Sequence, residues 1–115
     1  MAYRFVRARP ISDRLPDLRT RLDDGEIEQM DPFGRAMTKS LNDARFDPDS
    51  EEALWVEEDY CTPPLAMERE VLDEYFTNLV VVEEDVNESE GWERIEEYPS
   101  LWDGISGDAQ TPGGQ

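Results

Sequence analysis

The sequence predicts an α+β fold, a single small sheet with helices packed on it. Three observations carry this. Segments 2–11, 53–60 and 77–86 are rich in aromatic and β-branched residues, as strands are. The stretches between them place apolar residues at helical spacing. Proline, glycine and acidic turn residues punctuate the joints. The expected order is β-α-α-β-α-β-α within one domain over residues 1–105. If residues 35–46 were extended, the order would be the ferredoxin-like β-α-β-β-α-β.

AYRFVRARPI (2–11) ends at Pro10 and reads as the first strand. Ser12 or Pro16 then opens a helix. Ile11, Leu15, Leu18 and Leu22 mark its inner face and Gly25 ends it. Asp31-Pro32 predicts a second start, with Asp as N-cap and Pro at the first helical position. Phe33, Ala36, Met37, Leu41 and Ala44 form its apolar face, and Gly34 weakens it. DPDSEE (47–52) reads as a turn and ALWVEEDY (53–60) as a strand. Thr62-Pro63-Pro64 predicts a helix running to about Phe76, with Leu65, Val71, Leu72, Tyr75 and Phe76 inward. In 77–86 the run Leu79 to Val82 suits a strand covered on both faces. NESEG (87–91) reads as a loop. Trp92, Ile95, Tyr98, Leu101 and Trp102 then follow helical spacing, interrupted by Pro99. Residues 106–115 are expected to be a disordered tail.

The chain carries 29 acidic and 11 basic side chains, a net charge of −18. A small soluble domain commonly carries a magnitude of about 2–8. Self-repulsion of this size weakens a compact state unless salt screens it, and the Debye length falls to about 3 Å at 1 M. Lys39 is the only lysine; every other basic residue is arginine. Abundant carboxylates with almost no lysine resemble the cytosolic proteins of salt-accumulating halophiles. The charge is uneven. Residues 1–46 hold nine basic and eight acidic groups, residues 47–115 two and 21. Leu, Ile, Val and Phe make up only about one-fifth of the chain, a level near the boundary for folding at high charge. A homodimer would bury more apolar surface, and the acidic half could dock on a basic protein partner.

No apolar run approaches the ~20 residues needed to cross a bilayer, and no basic stretch followed by an apolar run opens the chain. The expected location is the cytoplasm, with no membrane contact. The single cysteine excludes an intramolecular disulfide framework. The absence of histidine removes the usual neutral-pH base, the Ser–His–Asp triad and the commonest metal ligand. No cofactor motif is present, and none is expected to be bound.

Cys61 is the one nucleophile candidate. On a helix entrance its thiolate would be stabilised. Pro63 and Pro64 lack N–H groups to offer it, however, and Glu57, Glu58 and Asp59 raise a thiol pKa. The expected role is packing near Ala66. Asp47, Asp49, Glu51 and Glu58 fall at positions 1, 3, 5 and 12 of a calcium loop. Glu52 stands where that loop requires glycine, so a solvated turn is expected instead. Glu57, Glu58 and Asp59 read as a charged rim. Tyr3, Arg4, Phe5, Arg7 and Arg9 interleave aromatic and basic groups, yet the field of the whole chain repels phosphate and argues against direct nucleic-acid binding. Trp92, Tyr98 and Trp102 close the core or, with Arg7 and Arg9, form an interface.

Cys61-Thr62-Pro63-Pro64-Leu65 within VEEDYCTPPLAMERE, together with DPFGRAM (31–37), resembles small acidic proteins of haloarchaeal type. That group has no assigned activity, so the resemblance implies habitat and compartment only. The leading expectation is a non-enzymatic, halophile-adapted interaction or assembly module, more readily a homodimer than a monomer. One alternative is a small-ligand-binding α+β enzyme with a pocket near Tyr60, Cys61, Arg69 and Tyr75. Another is an acidic decoy for a nucleic-acid-binding protein.

Overall fold

The computed structural model describes residues 3–103; the tail expected at 106–115 lies outside them. Four strands form one sheet: β1 (Tyr3–Pro10), β2 (Arg45–Asp47), β3 (Glu52–Glu58) and β4 (Phe76–Glu83). Their spatial order is β2-β3-β1-β4, with antiparallel neighbours throughout. Four helices accompany them: α1 (Leu15–Asp23), α2 (Gly34–Asn42), α3 (Arg69–Tyr75) and α4 (Glu88–Glu93). The α+β class therefore holds, and the predicted order needs only the short strand β2 added. The strands also follow the β-α-β-β-α-β succession, with two helices in the first crossover and α4 appended. Extension of 35–46 is not the reason: 34–42 is helical, and only Arg45–Asp47 joins the sheet. Among the described residues no helix is long and apolar enough to cross a membrane.

Alternation along the strands separates two layers. Val6, Ala8, Ala53 and Trp55 face α1, α2 and α3, where Leu18, Met37, Leu41 and Leu72 are fully buried. Phe5, Leu54 and Val56 face the other way and pack with Val86 and Ile95 beneath α4 and the segment after it. Both faces of β3 are thereby covered, and all five residues from Ala53 to Glu57 are buried.

Several boundaries differ from the sequence expectation. α1 is entered through a single 3-10 turn (Ser12–Arg14), with Pro16 in its first turn. α2 starts at Gly34 rather than at Pro32 and has no side-chain cap. A Cβ at Gly34 would lie 2.3 Å from the Ile27 carbonyl oxygen, so glycine is required there by close backbone approach. The helix expected from Thr62 begins only at Arg69, after turns over 64–68 and a left-handed Leu65 (φ 63°). Its five inward residues are nonetheless buried, although Phe76 is the first residue of β4. The loop expected at 87–91 is largely α4, capped by Asn87, whose Oδ1 accepts from the Glu90 N–H. Most visibly, the run Leu79 to Val82 is not covered on both faces. β4 is an edge strand, and Val80 and Val82 are 40% and 45% exposed.

Candidate functional site

The end of β3 places ionisable groups inside the molecule. Period-2 alternation puts Glu57 and Asp59 on the same face as Ala53 and Trp55, beneath the helices. Arg4 stands opposite Glu57 in the β1–β3 register. Glu57, Asp59 and Glu68 are 0%, 3% and 2% exposed. The rim expected of Glu57, Glu58 and Asp59 is thus mostly interior; only Glu58 reaches solvent in part.

Asp59 organises the segment that follows it. Its Oδ2 accepts from Arg4 Nε at 3.1 Å and from the Leu65 N–H at 2.8 Å; its Oδ1 accepts from the Cys61 N–H at 3.2 Å. Burial alone would raise its pKa. The donors on Leu65, Arg4, Glu68 and Cys61 outweigh burial and hold it below the ordinary carboxylate value. Glu68 moves the other way. Burial and the proton it donates to Asp59 push it up to about 7. Below about pH 7 the two carboxyls form a pair, one ionised and one largely protonated.

Glu57 accepts from Trp55 Nε1 at 2.9 Å, while its Oε2 has no hydrogen-bond partner among the described residues. Burial raises it to about 8, the Trp55 N–H opposes that, and the charges of Glu68 and Asp59 add to it. Cys61 is half-buried, and its Sγ lies 3.7 Å from Glu68 Oε1. A backbone hydrogen bond from Met67 favours its thiolate. Burial, Asp59 and Glu68 outweigh that bond, and the thiol pKa is raised. Because α3 begins at Arg69, Cys61 is not at a helix entrance, and neither the dipole argument nor a staple to Ala66 describes it. It is a member of a polar cluster.

The cluster forms one wall of an open cleft of about 800 Å³ between α2 and residues 58–68. Phe33, Ala36 and Met67 give the cleft an apolar surface, and Arg35 and Lys39 stand on the α2 side. Arg35 is the only described arginine that makes no ion pair or hydrogen bond, in a chain where acids outnumber bases. Ligand atoms of Asp59, Cys61 and Glu68 all lie within 4.8 Å of one another, so these three residues are the described group able to hold a metal ion. The lone pairs of Asp59 are, however, already engaged by the donors above, which suits a structural carboxylate better than a metal ligand.

The other sequence candidates are dispersed. Asp47, Asp49 and Glu51 share the β2–β3 turn, where Asp47 Oδ1 accepts from the Asp49 N–H. Glu58 is at the far end of β3, roughly 20 Å along the strand, so the calcium-loop residues do not converge. Tyr60 and Cys61 line the cleft. Arg69 points away to pair with Asp73, and Tyr75 is buried against Arg21. Trp92 packs between the two core layers and Tyr98 against the second. Trp102 donates to the Leu41 carbonyl and stacks under Arg19, 4.7 Å from ring to guanidinium. Arg7 and Arg9 are exposed and pair with Glu52 and Glu51. Sequence reasoning missed Arg4, Glu57, Asp59 and Glu68 as a buried set. The alternation Ala53, Trp55, Glu57, Asp59 was the signal that could have found the two β3 acids. No known protein family, curated protein or solved structure matches this chain.

Proposed function

We propose that this chain binds a small organic anion in the cleft between α2 and residues 58–68, and that the Asp59–Glu68 pair exchanges a proton with it. One observation carries the reading: Arg4, Glu57, Asp59 and Glu68 are all withdrawn from solvent at one point. Such burial is a poor route to stability, since well-packed apolar residues of similar volume often do as well or better. Two neighbouring carboxyls driven in opposite directions are the usual arrangement for an acid and a base at work near neutral pH. Arg35, unpaired on the facing wall, supplies the charge that would hold an anion. Cys61 is a wall residue in this reading, because its raised pKa leaves little thiolate and no histidine exists to activate it. The composition supports work in the salt-rich cytoplasm of a halophile.

The test is an NMR titration with acetate, succinate and pyruvate, at the lowest salt that keeps unfolding cooperative. Saturable shifts confined to Arg35, Cys61 and Glu68 are expected, lost in Arg35→Ala. Bound anion should also raise the Glu68 titration midpoint, as a nearby like charge does. Shifts that never saturate, or that survive Arg35→Ala, would refute the reading. A second reading, an assembly module without enzymatic activity, is favoured by the exposed valines of β4.

A further inference from the structure

The two edges of the sheet are treated differently. At the β2 edge the chain closes the sheet with its own residues. The Phe46 N–H donates to the Pro99 carbonyl at 2.9 Å, the Leu101 N–H donates to the Ala44 carbonyl at 2.9 Å, and Arg45 bridges to Ser100. β2 is also only three residues long. At the other edge β4 runs for eight residues and carries no charge and no proline from Phe76 to Val82. Short length, charge, proline and covering segments are the devices that keep an edge strand from pairing with another chain. β2 has two of them; β4 has only the glutamate at its end and irregular register against β1. Of the four large apolar side chains exposed among the described residues, two line the cleft and the other two, Val80 and Val82, are on β4.

We infer that β4 pairs antiparallel with β4 of a second copy, about a two-fold axis at Val81, to make one continuous eight-stranded sheet. This deepens the assembly reading and rests on it. The choice of a second copy follows from where the charges sit. The acids Glu83, Glu84 and Asp85 all follow the apolar run, and the polar neutral Thr77 and Asn78 precede it. In the two-fold register Val80 meets the partner's Val82, Leu79 meets the partner's Glu83, and Thr77 lies toward the partner's Asp85. No acid faces an acid. Parallel pairing would stack Glu83 on the partner's Glu83. Arg9 neighbours Thr77 on β1, but its side chain pairs with Glu51 on the β3 side of that strand, so the complementarity is carried by β4 itself. Each copy thus brings its neutral end to the other's acidic end, and in molar salt the remaining repulsion is screened.

Sedimentation equilibrium in molar KCl over a range of protein concentrations tests this, with circular dichroism confirming that each variant folds. A reversible mass of twice the chain is expected. Val82→Lys should raise the dissociation constant at least about tenfold, because the charge would be carried into the apolar centre of the pairing. Thr77→Lys and Thr77→Glu are exposed changes that set the register: the lysine should tighten the dimer and the glutamate loosen it. A dimer indifferent to Val82→Lys, or one with the Thr77 order reversed, overturns the β4 pairing and leaves the assembly reading standing. A monomer at every concentration up to ~1 mM overturns both.

Discussion

Arg4 Nε lies 3.1 Å from Asp59 Oδ2, with 11% and 1% of the two side chains exposed. The same guanidinium donates to the Cys61 carbonyl at 3.2 Å and to the Glu84 carbonyl. One arginine from the first strand therefore ties down the segment after β3 and the end of β4. A buried pair of this kind is weak evidence of net stabilisation, but breaking it is costly, because one charge is left behind unpaired.

Arg4→Ala is accordingly expected to destabilise the fold by about 3–5 kcal/mol. Asp59→Ala should cost about 1–3 kcal/mol more than that, since the N–H groups of Leu65 and Cys61 lose their acceptor as well. Urea unfolding in molar KCl measures both. If the arginine variant proves the more damaging, Asp59 is not the organising residue of this segment.

Glu57 and Glu68 predict an unusual pH profile. Their folded values of about 8 and about 7 exceed the ordinary 4.5. The folded chain therefore holds more protons than the unfolded chain between those limits. Stability from these groups is complete below about pH 4.5 and is lost as pH rises through 7 and then 8. Asp59, held low, acts in the opposite sense and only in acid, where its contribution is lost as pH falls through its folded value. The midpoint of thermal unfolding should thus drop by at least about 10 °C between pH 5 and pH 8.5. Glu57→Gln should flatten the upper part of that slope. A flat wild-type profile would place both carboxyls in water.

The same carboxyls show what the sequence could and could not reveal. Strand and helix positions were legible wherever the apolar pattern had a single period, as for Leu15, Leu18 and Leu22 in α1. The pattern misled where an apolar run had two explanations. ALWV in β3 and LVVV in β4 look alike, yet β3 is covered on both faces and β4 is at an edge, which only the strand order decides. Charge misled for a different reason. In so acidic a chain, Glu57 and Asp59 did not stand out from the surface carboxylates. Their burial depends on Arg4 and Glu68 arriving from other parts of the chain.

Gly34 offers a test of tertiary constraint against local propensity. Alanine is the better helix residue by about 1 kcal/mol, so Gly34→Ala near the start of α2 would ordinarily stabilise. Here a Cβ would meet the Ile27 and Glu28 carbonyl oxygens at 2.3 and 2.7 Å, both backbone atoms. Ile27 is fully buried and cannot easily retreat. The variant is expected to lose about 1–3 kcal/mol, the usual cost of overpacking, in the same urea measurement. A gain in stability would show that residues 27–30 give way freely.

Cys61 supplies the most selective reading of the cluster, because its environment changes charge near neutral pH. Glu68, 3.7 Å from the thiol, is largely protonated below about 7 and ionised above it. At pH 6 the wild type and Glu68→Gln should be alkylated by iodoacetamide at similar, slow rates, since both present a neutral group to the sulfur. At pH 8.5 the wild-type carboxylate opposes thiolate formation and the glutamine does not. The variant should then react at least about twofold faster. Equal rates across the whole range would remove Glu68 from contact with the sulfur. Fast wild-type labelling, with a midpoint below the free-thiol value of about 8.5, would mean that the Met67 backbone hydrogen bond dominates, and Cys61 would become the nucleophile of the cleft.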